Sequence, residues 1–385
     1  MHKFWNNQPT IQTQEEFKNL NINNNNEPIN ANTDIIKKEP YILPNNYEWI
    51  DCDLNDKNVM QNVYHLLSNN YVEDNDKFRF NYSIPFLKWT LMPPGYLKEC
   101  HLGVRVKSSK LLVGFISGIP QTIKIYDKLV NSITINFLCV HKQLRSKRLT
   151  PILIKEITRR ANNLGIFQAL YTSGTILPTP IGTCQYYHRY LNTIKLIKIG
   201  FCHLKQKTTY KMMHKLYDLL NTTITKGLRE ISSLDIPQIY NLLNVEQQKY
   251  NLAIQFTEEE LYHWLITIKD VIYCYVVEND GIITDFISFY CVSLSVLNNE
   301  HYSELKTAYL FYNVQTKINK TQLINDCLIL AKNIGCDVFN CLDIQDNSIF
   351  LKDLKFVVGT GKLNYYLYNW KCPFINSKDI SAILM

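Results

Sequence analysis

Apolar positions recur along the chain with two periods, and the clearest change of period falls between residues 132 and 165. Ser132 to Val140 is β-branched and apolar, which predicts a buried central strand. Strict alternation puts Ile133, Ile135, Phe137 and Cys139 on one face and Leu138 and Val140 on the other. A basic segment follows, holding Lys142, Arg145, Lys147 and Arg148. Beyond it Ile152, Ile154, Ile157 and Leu164 take helical spacing, with Thr150 as N-cap and Pro151 at the first helical position. Arg159 and Arg160 sit towards the C-terminal end of the dipole, and Gly165 closes the helix. A helix whose first N–H groups lie under arginines and lysines is an anion site for a phosphate-rich ligand; a solvated basic loop is the other reading.

The same pattern predicts a helix over 57–69, with Val59, Val63, Leu66 and Leu67 on one face. Strands follow over 110–120 and 121–127, punctuated by Gly114, Gly118 and Pro120, and a short strand ends at Thr172. A polar, basic stretch over 205–227 marks the boundary between two halves. The second half restarts at Ser232, Ser233 and Asp235, and Thr257 with Glu260 forms a capping box. Strands in VIYCYVVEN, TDFISFYCV and AYLFYNV then alternate with helical stretches such as TQLINDCLILAKNIG, an order like that of the first half without a residue-level repeat. Residues 17–39, with Asn23 to Asn26 in a row, read as a polar linker, and ordered structure resumes near Pro40.

At 385 residues the chain exceeds the size at which one core stops growing, so two domains or one two-part domain is expected. The net charge of +7, from 41 basic and 34 acidic residues, fits phosphate binding and falls short of a nucleic-acid-binding composition. Eleven cysteines without paired metal spacing, and a start unlike a signal peptide, point to a reducing cytoplasmic setting and no metal site. No apolar run approaches the ~18 residues of a membrane span. The Met-His start is not itself an acylation signal.

Several stretches, in order, carry a family likeness: HKFWNNQPT at 2–10, YVEDNDKFRFNYS at 71–83, LMPPGYLKECHLGVRV at 91–106 and VGFISGIPQTIKIYD at 113–127. It continues through the 132–165 segment, YTSG at 171–174, TCQYYHRYLN at 183–192, TDFISFY at 284–290, FYNVQT at 311–316 and GTGKLNYYLYNWKC at 359–372. Together they resemble the eukaryotic glycylpeptide N-myristoyltransferases. The resemblance implies an α+β fold of two pseudo-symmetric acetyltransferase-like halves around a saddle-shaped mixed β-sheet with surrounding helices. It implies an acyl-CoA-contacting arm and linker over 1–39, a myristoyl-CoA-binding half over 40–210, and a half over 211–385 that binds peptide and carries a catalytic C-terminus. Myristoyl-CoA is the implied co-substrate with no permanently bound cofactor, N-terminal glycine peptides are the acceptors, and a monomer is expected.

Site residues follow from the same resemblance. His2, Lys3, Phe4 and Trp5 run over the acyl-CoA, and Cys139, Val140, Arg145, Ser146, Lys147, Arg148, Leu149, Thr150 and Pro151 line its path. Backbone N–H groups of Phe137 and Leu138, where the strand bulges, stabilise the oxyanion; Asn136 and Thr172 hold the amine; the main-chain carboxylate of Met385 is the base. Transfer of a proton from an α-ammonium to a terminal carboxylate is uphill by about 6 kcal/mol in water, and burial narrows that gap from both sides. Tyr71, Phe78, Phe80, Tyr186, His188, Tyr312, Asn340, Thr360 and Gly361 form the peptide groove, with Glu73, Asp74 and Asp76 attracting a basic residue of the substrate. Thr360 departs from the family, which commonly has an acid between the two glycines. A lipid carrier without turnover and an acetyltransferase using acetyl-CoA remain the alternatives at this stage.

Overall fold

Alternating β-branched and aromatic residues form fifteen strands among the described residues. The computed structural model describes residues 4–18, 20–30, 36–71, 73–74, 77–204 and 207–385, with Gln14, Lys18, Asn23, Asn24, Glu73 and Asp74 in backbone alone. The first half of the chain contributes β1 (Tyr47–Asp51), β2 (Glu73–Asp74), β3 (Phe78–Asn81), β4 (His101–Val106), β5 (Leu112–Ile125), β6 (Lys128–Val140), β7 (Gln168–Ser173) and β8 (Gly182–Tyr190). The second contributes β9 (Leu228–Glu230), β10 (Leu252–Gln255), β11 (Ile272–Asn279), β12 (Ile282–Val296), β13 (Glu304–Val314), β14 (Val338–Leu342) and β15 (Val357–Tyr368).

All belong to one mixed sheet, in the order β1-β4-β5-β6-β7-β15-β8-β14-β13-β12-β11-β9, with β10 added to β5, β3 to β12 and β2 to β3. The order is symmetric about the β15–β8 pair. On one side an antiparallel β5–β6 pair leads through the helix Leu149–Asn163 to β7, parallel to β6. On the other, antiparallel β12–β13 leads through the helix Lys320–Asn333 to β14, parallel to β13. The halves also exchange strands: β3 borders β12, β10 borders β5, and β15 returns to lie between β7 and β8. The expected boundary near 210 therefore divides the chain but not the sheet.

The symmetry extends to a β-bulge in each half. Phe115 pairs with Cys139 and Ser117 with Asn136, so Ile116 of β5 faces both Phe137 and Leu138 of β6. Ile287 pairs with Asn313 and Phe289 with Leu310, so Ser288 of β12 faces both Phe311 and Tyr312 of β13. Such an extra residue leaves the ladder and reverses the faces beyond it. Here the structure corrects the alternation read from the sequence: Ile133 and Ile135 share a cluster with Leu138 and Val140, whereas Phe137 and Cys139 pack into the other core.

Other boundaries differ by a residue or two. The helix expected from Thr150 begins at Leu149, with Arg148 at its N-cap in the left-handed region (φ 58°) and no side-chain cap. Pro151 thus sits third, still inside the turn that needs no N–H donor. Its buried face is Leu149, Leu153, Ile157 and Ala161, while Leu164 is exposed. Gly165 ends the helix as expected, with Ile166 N donating to Ala161 O and Gly165 N to Asn162 O. The two strands expected over 110–127 are one, β5. The capping box at Thr257 and Glu260 forms in both directions, at 3.2 and 2.7 Å.

The polar stretch from residue 17 is not all linker. Ile22–Asn25 forms a helical turn, and Asn26, 3% exposed, donates to Ile125 O and accepts from Trp370 Nε1, each at 2.9 Å. Composition registers asparagine as polar; it does not show that a buried amide has waiting partners. At the other end, Ile380 to Ala382 is fully buried beside β10, with Ser381 N donating to Leu252 O at 2.7 Å. Burying a side chain such as Ile380 contributes about 1.5–3 kcal/mol, which draws this apolar segment inward.

Candidate active site

The β6 bulge opens into a cavity of about 2050 Å³ that runs between the two halves. Phe137 takes φ 51°, and its ring is locked in the core against Tyr71 and Tyr82, at centroid distances of 5.8 and 5.3 Å. A locked side chain leaves the backbone at 137–138 fixed at the cavity wall. Beside it Asn136 also lines the cavity, with its carbonyl accepting from Ser117 Oγ at 2.9 Å. With its amide turned to satisfy both ends, Asn136 donates to Met385 O at 3.0 Å and Ile135 O at 3.1 Å. Thr172 of β7 and the residues Leu384 and Met385 complete this part of the wall. The expected catalytic set is therefore brought together in one place.

One arm of the cavity is basic. Arg145, Ser146, Arg148, Thr150 and Pro151 line it beside the uncapped helix start. Arg145 also donates to Asn70 O at 2.5 Å, tying the loop to the helix Lys57–Asn70. Phe4 and Trp5 lie across this region, with Trp5 stacked on Tyr171 at 5.6 Å and Tyr171 on Tyr366 at 5.2 Å. Four other residues expected here do not line the cavity. Leu149 and Val140 pack beneath the helix, Cys139 is buried with Sγ 3.9 Å from Leu66 O, and Lys147 is exposed. His2 and Lys3 lie outside the described residues.

The other arm is aromatic. Tyr71, Phe78, Phe80, Tyr186 and His188 line it as expected, joined by Tyr82, Phe86, Tyr290 and Tyr309. Burial pushes the phenols of Tyr82, Tyr186 and Tyr290 well above their ordinary range, so all stay protonated donors. Tyr290 faces Tyr309 across β12 and β13 in a 5.1 Å stack, a pairing visible only once register is known. His188 is oriented by Asn340, directly opposite on β14, through a 2.6 Å bond to Nδ1. Asn340 itself reaches the cavity only through that histidine.

Between Val358 and Lys362, β15 leaves register and pushes Gly359, Thr360 and Gly361 into the cavity. Gln185 Nε2 donates to the carbonyls of Gly359 and Gly361, both at 2.8 Å. A Cβ on Gly359 would stand 2.4 Å from His188 Nε2, so any larger residue there would displace that imidazole. Tyr312, expected in the groove, is 1% exposed and does not line the cavity; its hydroxyl accepts from Ile383 N at 3.3 Å. The side chains of Glu73 and Asp74 and all of Asp76 lie outside the described residues. Among the described residues no cluster of three His, Cys, Asp or Glu could hold a metal, and no helix is long and apolar enough to cross a membrane.

Residues 28–184 match the family described as myristoyl-CoA:protein N-myristoyltransferase, N-terminal domain, and residues 198–382 match its C-terminal domain. Glycylpeptide N-tetradecanoyltransferase 1 of Arabidopsis thaliana is 49% identical over 376 residues, covering 96% of this chain and 86% of that protein. The crystal structure of Saccharomyces cerevisiae N-myristoyltransferase with bound myristoyl-CoA superposes with a TM-score of 0.94 at 40% identity, covering 100% of this chain and 99% of that one. A GCN5-related N-acetyltransferase from Anabaena variabilis shares the fold at a TM-score of 0.50 and 10% identity, over 83% of this chain and 72% of the other.

Proposed function

The chain belongs to the N-myristoyltransferase family and is an acyltransferase that moves myristate from myristoyl-CoA to the N-terminal glycine of proteins, and we propose that it does so by direct attack, with a main-chain carboxylate as base. The observation that supports this most is the convergence of Asn136, the Phe137–Leu138 bulge, Thr172 and Met385 on one wall of one cavity. At about 2050 Å³ the cavity exceeds the ~300–1,000 Å³ of ordinary small-molecule sites, as an acyl-CoA and a peptide held together require.

Arg145 and Arg148, with the helix start at Leu149, hold the phosphates of CoA, and Phe4 and Trp5 cover it. The thioester carbonyl faces the N–H groups of Phe137 and Leu138. Asn136 Oδ1 and Thr172 Oγ1 accept hydrogen bonds from the amine while the Asn136 amide N–H donates to Met385 O, which orients the nitrogen lone pair to the thioester carbon. The carboxylate of Met385 removes one proton from the ammonium; the amine adds to the carbonyl; the bulge N–H groups stabilise the oxyanion. The C–S bond then breaks as the nitrogen, cationic after addition, gives up its second proton to the departing sulfur, so CoA leaves as the thiol, and the first proton passes from the carboxyl to solvent. A first residue with no Cβ fits between the amine holders and the backbone wall, which selects glycine.

The peptide runs along Tyr71, Phe78, Phe80, Tyr186 and His188 and past Thr360 and Gly361. Glu73, Asp74 and Asp76 attract a basic residue further along it. The scheme asks for no second chain and is written for a monomer, and the eleven free thiols suit a reducing compartment such as the cytosol. Mass spectrometry of paired peptides beginning Gly-Xaa and Ala-Xaa, with myristoyl-CoA and acetyl-CoA as competing donors, tests the reading. A tetradecanoyl gain on the glycine peptide alone is expected; transfer to alanine, or preference for acetyl-CoA, overturns it.

A further inference from the structure

The last six residues are held more closely than an apolar end needs to be. Successive main-chain groups each meet a partner: Ile380 O accepts from Gln345 N at 3.1 Å, Ser381 N donates to Leu252 O at 2.7 Å, Ala382 O accepts from Tyr365 Oη at 2.8 Å, and Ile383 N donates to Tyr312 Oη at 3.3 Å. Gln345 Nε2 adds a 3.0 Å bond to Ser381 Oγ, and its Oε1 accepts from Asn313 Nδ2 at 3.3 Å. Gln345 itself sits at φ 53°, a left-handed conformation costly for a residue with a side chain, with its carbonyl held by Lys320 Nζ.

These partners are placed by the two bulges. Tyr312 is one of the two residues that face Ser288 at the β13 bulge, and its carbonyl is fixed by Ser288 Oγ at 2.7 Å. Asn136, which receives Met385 O, adjoins the β6 bulge. The tail thus spans from one bulge to its symmetry counterpart. Tyr365 stands directly opposite Thr172 on the neighbouring strand, so the group that holds Ala382 is referenced to the wall that holds the amine. Two residues separate Ile383 from the end, a reach of at most about 7 Å, so fixing Ile383 confines the carboxylate to that radius.

We propose that Tyr312, Tyr365 and Gln345 are positioning residues that aim the Met385 carboxylate at the substrate amine, and that Tyr312 serves the base rather than the peptide groove. The proposal rests on the reading of that carboxylate as base. Neither phenol titrates near neutrality, because burial pushes both upward, so each holds its bond throughout the working range.

The test compares Tyr365→Phe, Tyr312→Phe and the double variant with the unaltered enzyme, each preloaded with myristoyl-CoA. Single-turnover rate, its pH profile, acyl-CoA affinity and the fraction of active sites are read. The singles are expected to slow transfer ~3- to 10-fold and the double ~10- to 100-fold. The acid limb of the profile should move, with acyl-CoA affinity and active fraction unchanged. A rate per active site within twofold and an unmoved profile overturn the proposal, as does a lower active fraction with an unchanged rate per site, which marks a merely structural role. A chain carrying two added glycines after Met385 separates the two readings. If that addition stops transfer while the phenylalanine variants do not slow it, the positioning role fails and the base stands. If it leaves transfer intact, the base itself is wrong.

Discussion

The two bulges are the same device with opposite contents. At the β6 bulge the flanking residue is polar Asn136 and the residue beyond is apolar Cys139; at the β13 bulge the corresponding residues are apolar Leu310 and polar Asn313. The first opens on the cavity, with Asn136, Phe137 and Leu138 in its wall. The second does not: neither Phe311 nor Tyr312 lines that cavity, and Tyr312 receives the chain's own tail. Backbone symmetry therefore supplies two equivalent bulges with opposite polarity; in the proposed mechanism, one meets the substrate and the other anchors the tail that carries the base.

Exchanging those contents is the sharpest way to break the comparison. Asn136→Leu gives the first bulge the second one's residue and should slow single-turnover transfer ~10- to 100-fold, as expected for a lost hydrogen bond to a charged partner. Leu310→Asn, the reverse change, should leave the rate per active site unchanged and lower Tm by a few degrees, because it buries an unpartnered amide. Equal losses from both would mean that the bulges are not functionally distinct. A smaller effect, about tenfold on the KM for acyl-CoA, is expected from Arg145→Ala with Arg148→Gln, and it should shrink at high salt. Thr360→Asp should change the peptide KM by only about threefold, favouring peptides with a basic residue and again sensitive to salt.

The smallest effect concerns stability. Each half sends one histidine, buried His101 and half-buried His263, to the last turn of the helix Ile84–Leu91: His101 Nε2 lies 2.6 Å from Leu91 O, and His263 Nε2 lies 2.7 Å from Trp89 O. Burial lowers both imidazoles from their ordinary value near 6.5. The unfolded chain then binds protons first as the pH falls, so their contribution is present above about 6.5 and lost on acidification through the folded values. Thermal melts should show Tm falling between pH 7.5 and 5, and His101→Gln should flatten part of that slope.

Much of this was legible in the sequence. The strand, the basic loop, the Gly165 stop and the capping box at Thr257 were read from period and residue type, because each is fixed by local sterics and hydrogen bonding. The bulge phase was not: an extra residue at Phe137 reverses which of Ile135 and Leu138 share a face, and periodicity carries no sign of it. Tyr312 and Tyr309 show a second limit. Both are tyrosines on β13, yet one anchors the tail from the core and the other lines the cavity, a difference set by register against Ser288 and Tyr290. Asn26 shows a third, since its burial depends on Trp370 and Ile125, far away along the chain.

The central claim is that transfer depends on a main-chain carboxylate held beside Asn136, and the single-turnover rate of an enzyme extended by two glycines after Met385 tests it most directly. With myristoyl-CoA loaded and a glycine peptide added, the account predicts a rate lower by ~10²- to 10⁴-fold, the range of a lost general base, with acyl-CoA still bound at unchanged affinity. A rate equal to that of the unextended chain would contradict it.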